Sequence, residues 1–137
     1  MNRLSPQELP SFVRKYRLPG GRLRRLRVLY PKPKEVVVEF SLTVRETIKQ
    51  LGTEPGKVRL VLRLEGVEEF RFQMRPSRPR AIITEARIGH LNGLFFVNLD
   101  AWSLEPGEQA KLHDYRGSEV YAGGRELLWK AIIPGLK

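Results

Sequence analysis

The stretch Lys34-Glu35-Val36-Val37-Val38-Glu39-Phe40-Ser41-Leu42-Thr43-Val44-Arg45 decides the fold class. Val36, Val38, Phe40, Leu42 and Val44 occupy every second position, with Glu35, Glu39, Ser41 and Thr43 between them. Successive side chains of a strand point to opposite faces, so a period of two describes a strand with one buried face and one wet face. Only Val37 is out of phase.

Toward the N-terminus, Pro31 and Pro33 separate this strand from a second run, Arg22 to Tyr30. There Leu26, Val28 and Tyr30 share one face while Arg25 and Arg27 take the other. Pro19-Gly20-Gly21 before it reads as a turn. Ser5-Pro6-Gln7-Glu8 reads as a helix start, with Ser5 as N-cap, Pro6 at the first helical position and Glu8 three residues after the cap. Pro10 follows closely, so a short helix is expected, ending near Arg17.

Toward the C-terminus, Glu46 to Leu51 is read as a short helical or irregular piece before the turn signal Gly52-Thr53-Glu54-Pro55-Gly56. Val58, Leu60, Leu62 and Leu64 then alternate with polar positions, as do Phe70, Phe72 and Met74. Either two strands or one strand bent at Gly66 is implied. A three-residue hairpin loop at Glu65-Gly66-Val67 would set Leu62 opposite Phe70, whereas a two-residue loop would set Leu62 against Glu69, so the hydrophobic pattern favours the former. Pro76-Ser77-Arg78-Pro79 reads as a loop.

Asn92-Gly93 lies between two further apolar runs. A type I′ turn needs positive φ at both central positions, which makes this pair a strong hairpin signal. Pairing Leu91 with Leu94 sets Ile88 opposite Val97 and Ala86 opposite Leu99. Farther on, Glu105-Pro106-Gly107, Arg116-Gly117-Ser118 and Ala122-Gly123-Gly124 read as turns or interruptions, and residues 125–133 fit a short helix or a buried strand equally well. No repeat or low-complexity tract is visible. Six or more strands joined by hairpin-length turns predict a mainly β fold, α+β at its margins. The expected form is an antiparallel β-sandwich or partly open barrel with a short N-terminal helix and, if 125–133 is helical, a short C-terminal one.

The 137 residues suit a single domain. Hydrophobic content of 41% and charged content of 29% are those of a globular chain. No apolar run reaches the roughly 20 residues of a membrane span, and MNRLSPQELP lacks the apolar segment of a signal peptide, so a cytoplasmic protein without membrane contact is expected. With no cysteine, disulfides, thiolate nucleophiles and Cys-based zinc sites are excluded. Charge is uneven. Residues 1–34 carry ten Lys or Arg against Glu8 alone, whereas 35–137 carry fifteen against fourteen acidic residues. The expected organisation is a basic N-terminal segment and a near-neutral β-rich body.

Neither His90 nor His113 sits in a recognisable catalytic motif. His113, Asp114 and Ser118 could compose a triad only by geometry, and no nucleophile-elbow pattern is present. His90, His113, Asp100 and Asp114 lack the regular spacing of metal ligands, and the glycines form no phosphate-binding loop, so no metal or cofactor is expected. The Asn-Gly register places Glu85, Arg87, Asn98 and Asp100 on one hairpin face, with Glu85 opposite Asp100. This face is expected to be solvated and neutralised by Arg87, although a like-charge carboxyl pair is also one route to acid-base chemistry.

Arg14, Lys15, Arg17, Arg22, Arg24, Arg25 and Arg27 mix planar cations with the aromatic Tyr16, a composition suited to phosphate contact. The function expected from the sequence is a non-catalytic binding domain that engages nucleic acid or an acidic protein surface through these residues. Two alternatives stand beside it. One is a protein-binding domain of the inhibitor or immunity type found in bacterial toxin systems, whose size and texture are similar although no specific motif is shared. The other is a hydrolase-like enzyme using Glu85, Asp100, or His113 with Asp114. The partner and oligomeric state are open at this point.

Overall fold

Strand alternation carries through most of the chain. The computed structural model describes residues 1–47, 56–73, 82–100, 104 and 106–132. The order is β1 (Asn2–Leu4), a 3₁₀ turn (Pro6–Glu8), α1 (Leu9–Lys15), β2 (Tyr16–Leu29), β3 (Val37–Glu46), β4 (Lys57–Phe72), β5 (Arg87–Leu91), β6 (Leu94–Asn98), α2 (Leu112–Arg116) and β7 (Val120–Ile132). All seven strands belong to one antiparallel sheet in the order β2-β3-β4-β7-β6-β5, with β1 also on β7. The fold is therefore mainly β, as the alternation predicts.

The sheet is bent around a core but not closed. Its first strand meets the chain leading to its last at one bridge, Arg22 with Ile82. The Gly20 amide donates to the Ile83 carbonyl at 2.7 Å and the Ile83 amide to Gly21 at 2.9 Å. Of the two expected architectures, the partly open barrel is the nearer.

β3 lies between β2 and β4 with Phe40 opposite Leu62 and Leu26, and Leu42 opposite Leu60 and Leu23. Val38, Phe40, Leu42, Leu60, Leu62, Leu64 and Leu127 are fully or almost fully buried on the inner face. Each contributes roughly 1.5–3 kcal/mol of burial. β1 and α1 cover one end of this core. Phe12, Tyr16 and Trp129 form an aromatic triangle there with centroids 5.2 to 5.5 Å apart.

Several local expectations are corrected by long-range pairing. The hairpin at Glu65-Gly66-Val67 does not form. β4 runs on as one bent strand, with Gly66 at φ +60, and Leu62 faces Trp129 of β7 rather than Phe70. A register shift between Val67 and Glu69 absorbs the bend. Pro19-Gly20-Gly21 is an irregularity inside β2 rather than a turn before it, and the helix ends at Lys15. Tyr30 is 70% exposed and lies outside the strand. Residues 125–132 are strand, so no C-terminal helix forms there. The Asn-Gly hairpin forms in the expected register, with Asn92 and Gly93 at φ 53 and 79 and Ile88 opposite Val97. Ala86 and Leu99 lie beyond its ladder but pack on the same core. All but Gly56 of the turn expected at 52–56, the loop expected at 76–79, residues 48–51 of the piece expected from Glu46 to Leu51, and Met74 lie outside the described residues.

Gly123 and Gly124 do not break β7; they allow it to pass through the crowded centre of the sheet. A Cβ on Gly123 would stand 2.8 Å from Phe96 Cε1, and one on Gly124 would stand 2.9 Å from the Glu65 carbonyl oxygen. Backbone cannot yield as a side chain can, so Gly124→Ala should cost about 1–3 kcal/mol in urea unfolding. Gly56→Ala, which meets open space, should change stability by no more than about 0.5 kcal/mol.

Candidate functional site

The outer face of the sheet is divided in two. Over β6 and β7 it is covered by the segment carrying α2. Phe96 and Tyr115 stack there at 4.8 Å with an 18° interplanar angle, and Tyr121 completes a second small core. Asn98, expected on a solvated face, is fully buried beneath this cover. Its Nδ2 donates to the carbonyls of Asp114 and Tyr115 at 3.3 and 3.2 Å, and its Oδ1 accepts from the Asp100 amide at 3.0 Å.

Asp100 does not face Glu85. It accepts from the Ser118 hydroxyl and from the amides of Glu119, at 2.9 Å, and Val120, at 3.3 Å, while Glu85 is exposed in a bend. Arg87 pairs with Asn98 in the ladder. Asp114 is buried and accepts from the Lys111 amide at 2.6 Å, with the exposed His113 ring 3.4 Å away. Ser118 is thus directed at Asp100 rather than at His113, and the imagined triad does not assemble. The polar candidates Glu85, Arg87, Asn98, Asp100, His113 and Asp114 do not assemble a catalytic group: Asn98 and Asp100 hold the α2 segment onto the sheet, Asp114 caps α2, and Glu85 and His113 are exposed. Among the described residues no group of three or more His, Asp or Glu is placed to hold a metal ion, and no helix is long and apolar enough to cross a membrane.

The other half of the outer face, over β2, β3, β4 and the end of β7, has no such cover among the described residues. Here the strand register gathers the cations. Arg17, Arg45 and Lys57 form one cross-strand row; Arg22, Thr43, Arg59 and Ile132 form the next; Arg25, Ser41, Val61 and Lys130 form a third. Arg24 joins them because the register shifts between Leu23 and Arg25, and its Nε donates to the Thr43 hydroxyl at 2.9 Å. A bulge thus brings two consecutive arginines to one face. These rows hold eight cations and no carboxylate, and none of the eight makes an ion pair among the described residues. In the adjoining row, by contrast, Glu39 lies between Arg27 at 2.9 Å and Arg63 at 3.4 Å.

Of the seven basic residues singled out in the sequence, Arg17, Arg22, Arg24 and Arg25 lie on this bare face. Arg27 is engaged by Glu39. Lys15 is 3.6 Å from Glu46, and Arg14 donates to Pro10 and Ser11 of its own helix; both belong to α1 rather than to the strand rows. Arg45, Lys57, Arg59 and Lys130 were hidden in the near-neutral body. Their out-of-phase positions beside Val44, Val58, Leu60 and Ala131 were the available signal. The acidic residues that balance them in the count include Glu68, Glu69, Asp100, Asp114 and Glu119, which lie toward the α2 end or belong to its anchoring network.

Comparison with family models, curated proteins and solved structures returns no match.

At the covered end, Arg116 of α2 clamps Glu69 of β4 with two bonds of 2.7 and 2.8 Å, and Tyr121 adds a third at 3.3 Å. The Arg116 hydrogen bonds hold the Glu69 carboxyl below the usual carboxylate range. A group that titrates lower in the fold than in the unfolded chain stabilises the fold at neutral pH, and that contribution is lost as pH falls through its depressed pKa. Glu69→Gln should therefore flatten the acid limb of the stability profile, as read by urea midpoints from neutral pH downward. Asn98→Ala should cost about 1–3 kcal/mol at all pH values, because buried partners lose their bonds.

Proposed function

We propose that this protein is a non-catalytic binding domain that engages an anionic partner through the cationic outer face of β2, β3, β4 and β7. The supporting observation is the set of three successive cross-strand rows with eight cations and no carboxylate. Like charges directly opposite one another on a sheet destabilise it, and Arg17, Arg45 and Lys57 are aligned in this way. A face needed only for hydration is served as well by mixed charge, as in the neighbouring row around Glu39. An anion laid across the rows removes the repulsion, so the cost borne by the free protein becomes a source of affinity. Opposite charge of this density also accelerates encounter with the partner.

Two consequences can be measured. At low ionic strength the free protein should gain stability on addition of salt, and Arg45→Thr should raise low-salt stability by about 0.2–1 kcal/mol while weakening retention on a sulfated polyanion column. The triple variant Arg22→Gln/Arg25→Gln/Arg59→Gln should elute from that column at much lower salt than Arg3→Gln/Arg14→Gln/Lys15→Gln, although both lose the same charge. Equal elution of the two would show that net charge alone governs retention and would remove the assigned face.

A further inference from the structure

We infer that the partner of the basic face is double-stranded nucleic acid, held through its phosphates without reading of sequence. This rests on the anion-binding reading above and narrows it by what the face lacks as much as by what it carries.

Single-stranded nucleic acid is normally held by aromatic side chains on which bases stack. Among the described residues none of the three rows contains an aromatic. Phe12, Tyr16, Phe40 and Trp129 belong to the inner core or its edge. The two aromatics that are exposed at more than a third among the described residues lie elsewhere: Tyr30 follows the end of β2, and Phe70 pairs with Ala122 on the inner face. An acidic protein partner would require a different feature, a desolvated apolar centre of aromatic or aliphatic anchors within the polar rim. The apolar residues of these rows are Val61, 5% exposed, and Ile132 at the margin. Neither makes an anchor at the centre of the face.

What remains is a lattice of charge. Strands lie about 4.8 Å apart and alternate residues about 7 Å apart along each strand, so four strands and three rows span roughly 14 Å in each direction. That is enough to reach phosphates on both sides of a duplex groove, the major groove being about 12 Å wide. Six of the eight cations are arginine, whose planar fork meets phosphate oxygens in pairs. They stand on the strands of a sheet, and among the described residues no helix or ribbon projects from the face to enter a groove. Backbone contact without base contact is what this geometry permits.

The test is fluorescence polarisation with a labelled mixed-sequence DNA duplex of about 20 base pairs, a second duplex of unrelated sequence, a single-stranded oligothymidylate of equal length, and polyglutamate as competitor. The two duplexes should bind within about twofold of each other and more tightly than the single strand. The log-log dependence on salt should have a slope of about −5 to −7, from six to eight contacts at roughly −0.9 each, and Arg22→Gln/Arg25→Gln/Arg59→Gln should reduce that slope by about 3. Circular dichroism of the triple variant confirms that it is folded. Stronger binding to the single strand, strong preference between the duplexes, or displacement by polyglutamate at equal charge would overturn the duplex inference and leave an anion-binding face. Failure of every polyanion to bind at low salt would overturn both readings.

Discussion

The structure depends on the pairing of β4 with β7. These two strands run antiparallel from Arg59 opposite Ile132 to Phe72 opposite Val120, and the rest of the sheet is assembled on their outer edges. β4 carries β3 and through it β2; β7 carries β6 near Gly123 and Gly124 and β1 near Leu128. A strand this long must bend to enclose a core. The bend is made where Gly66 takes positive φ and the register slips before Glu69, opposite the two glycines of β7. Tight backbone approach at the centre and curvature at the bend are one solution to one constraint.

That bend also separates the two halves of the outer face. On one side α2 is held down by the Asn98 amide, the Asp100 carboxylate and the Arg116 to Glu69 clamp, and the acidic residues are engaged in structure. On the other side, the three rows from Arg17 to Lys130 bear arginine and lysine at their wet positions, none of them in an ion pair among the described residues. A chain with almost all its formal excess charge in its first quarter thus folds into a molecule whose cationic face is drawn from four strands, one of them the last. Linear charge distribution and spatial charge distribution differ because antiparallel pairing places residues more than a hundred positions apart in the same row.

The inner face was legible because it is written in local alternation. Val36 to Val44, and Val58 to Leu64, announce which side is buried whatever the strands pair with, and Asn92-Gly93 sets its own hairpin through the φ values it tolerates. The basic face was legible in half. Arg17, Arg22, Arg24 and Arg25 stand in an obvious cluster, but Arg45, Lys57, Arg59 and Lys130 are separated by acidic residues in the chain and joined only by register. The polar hairpin residues misled for the same reason: alternation set Asn98 and Arg87 correctly on the outer face, yet a distant helix turns that face into a second core.

Sequence alone therefore determined a mainly β chain, the buried phase of its principal strands, the Asn-Gly turn and the excess of arginine near the start, since each follows from side-chain period, turn stereochemistry or composition within a few residues. Tertiary structure decided which strands are neighbours, that β4 continues past Gly66 to meet β7 instead of turning back, and that Lys130 shares a row with Arg25. Those outcomes depend on long-range backbone pairing and on where two glycines let strands approach, and no short window of residues contains that information.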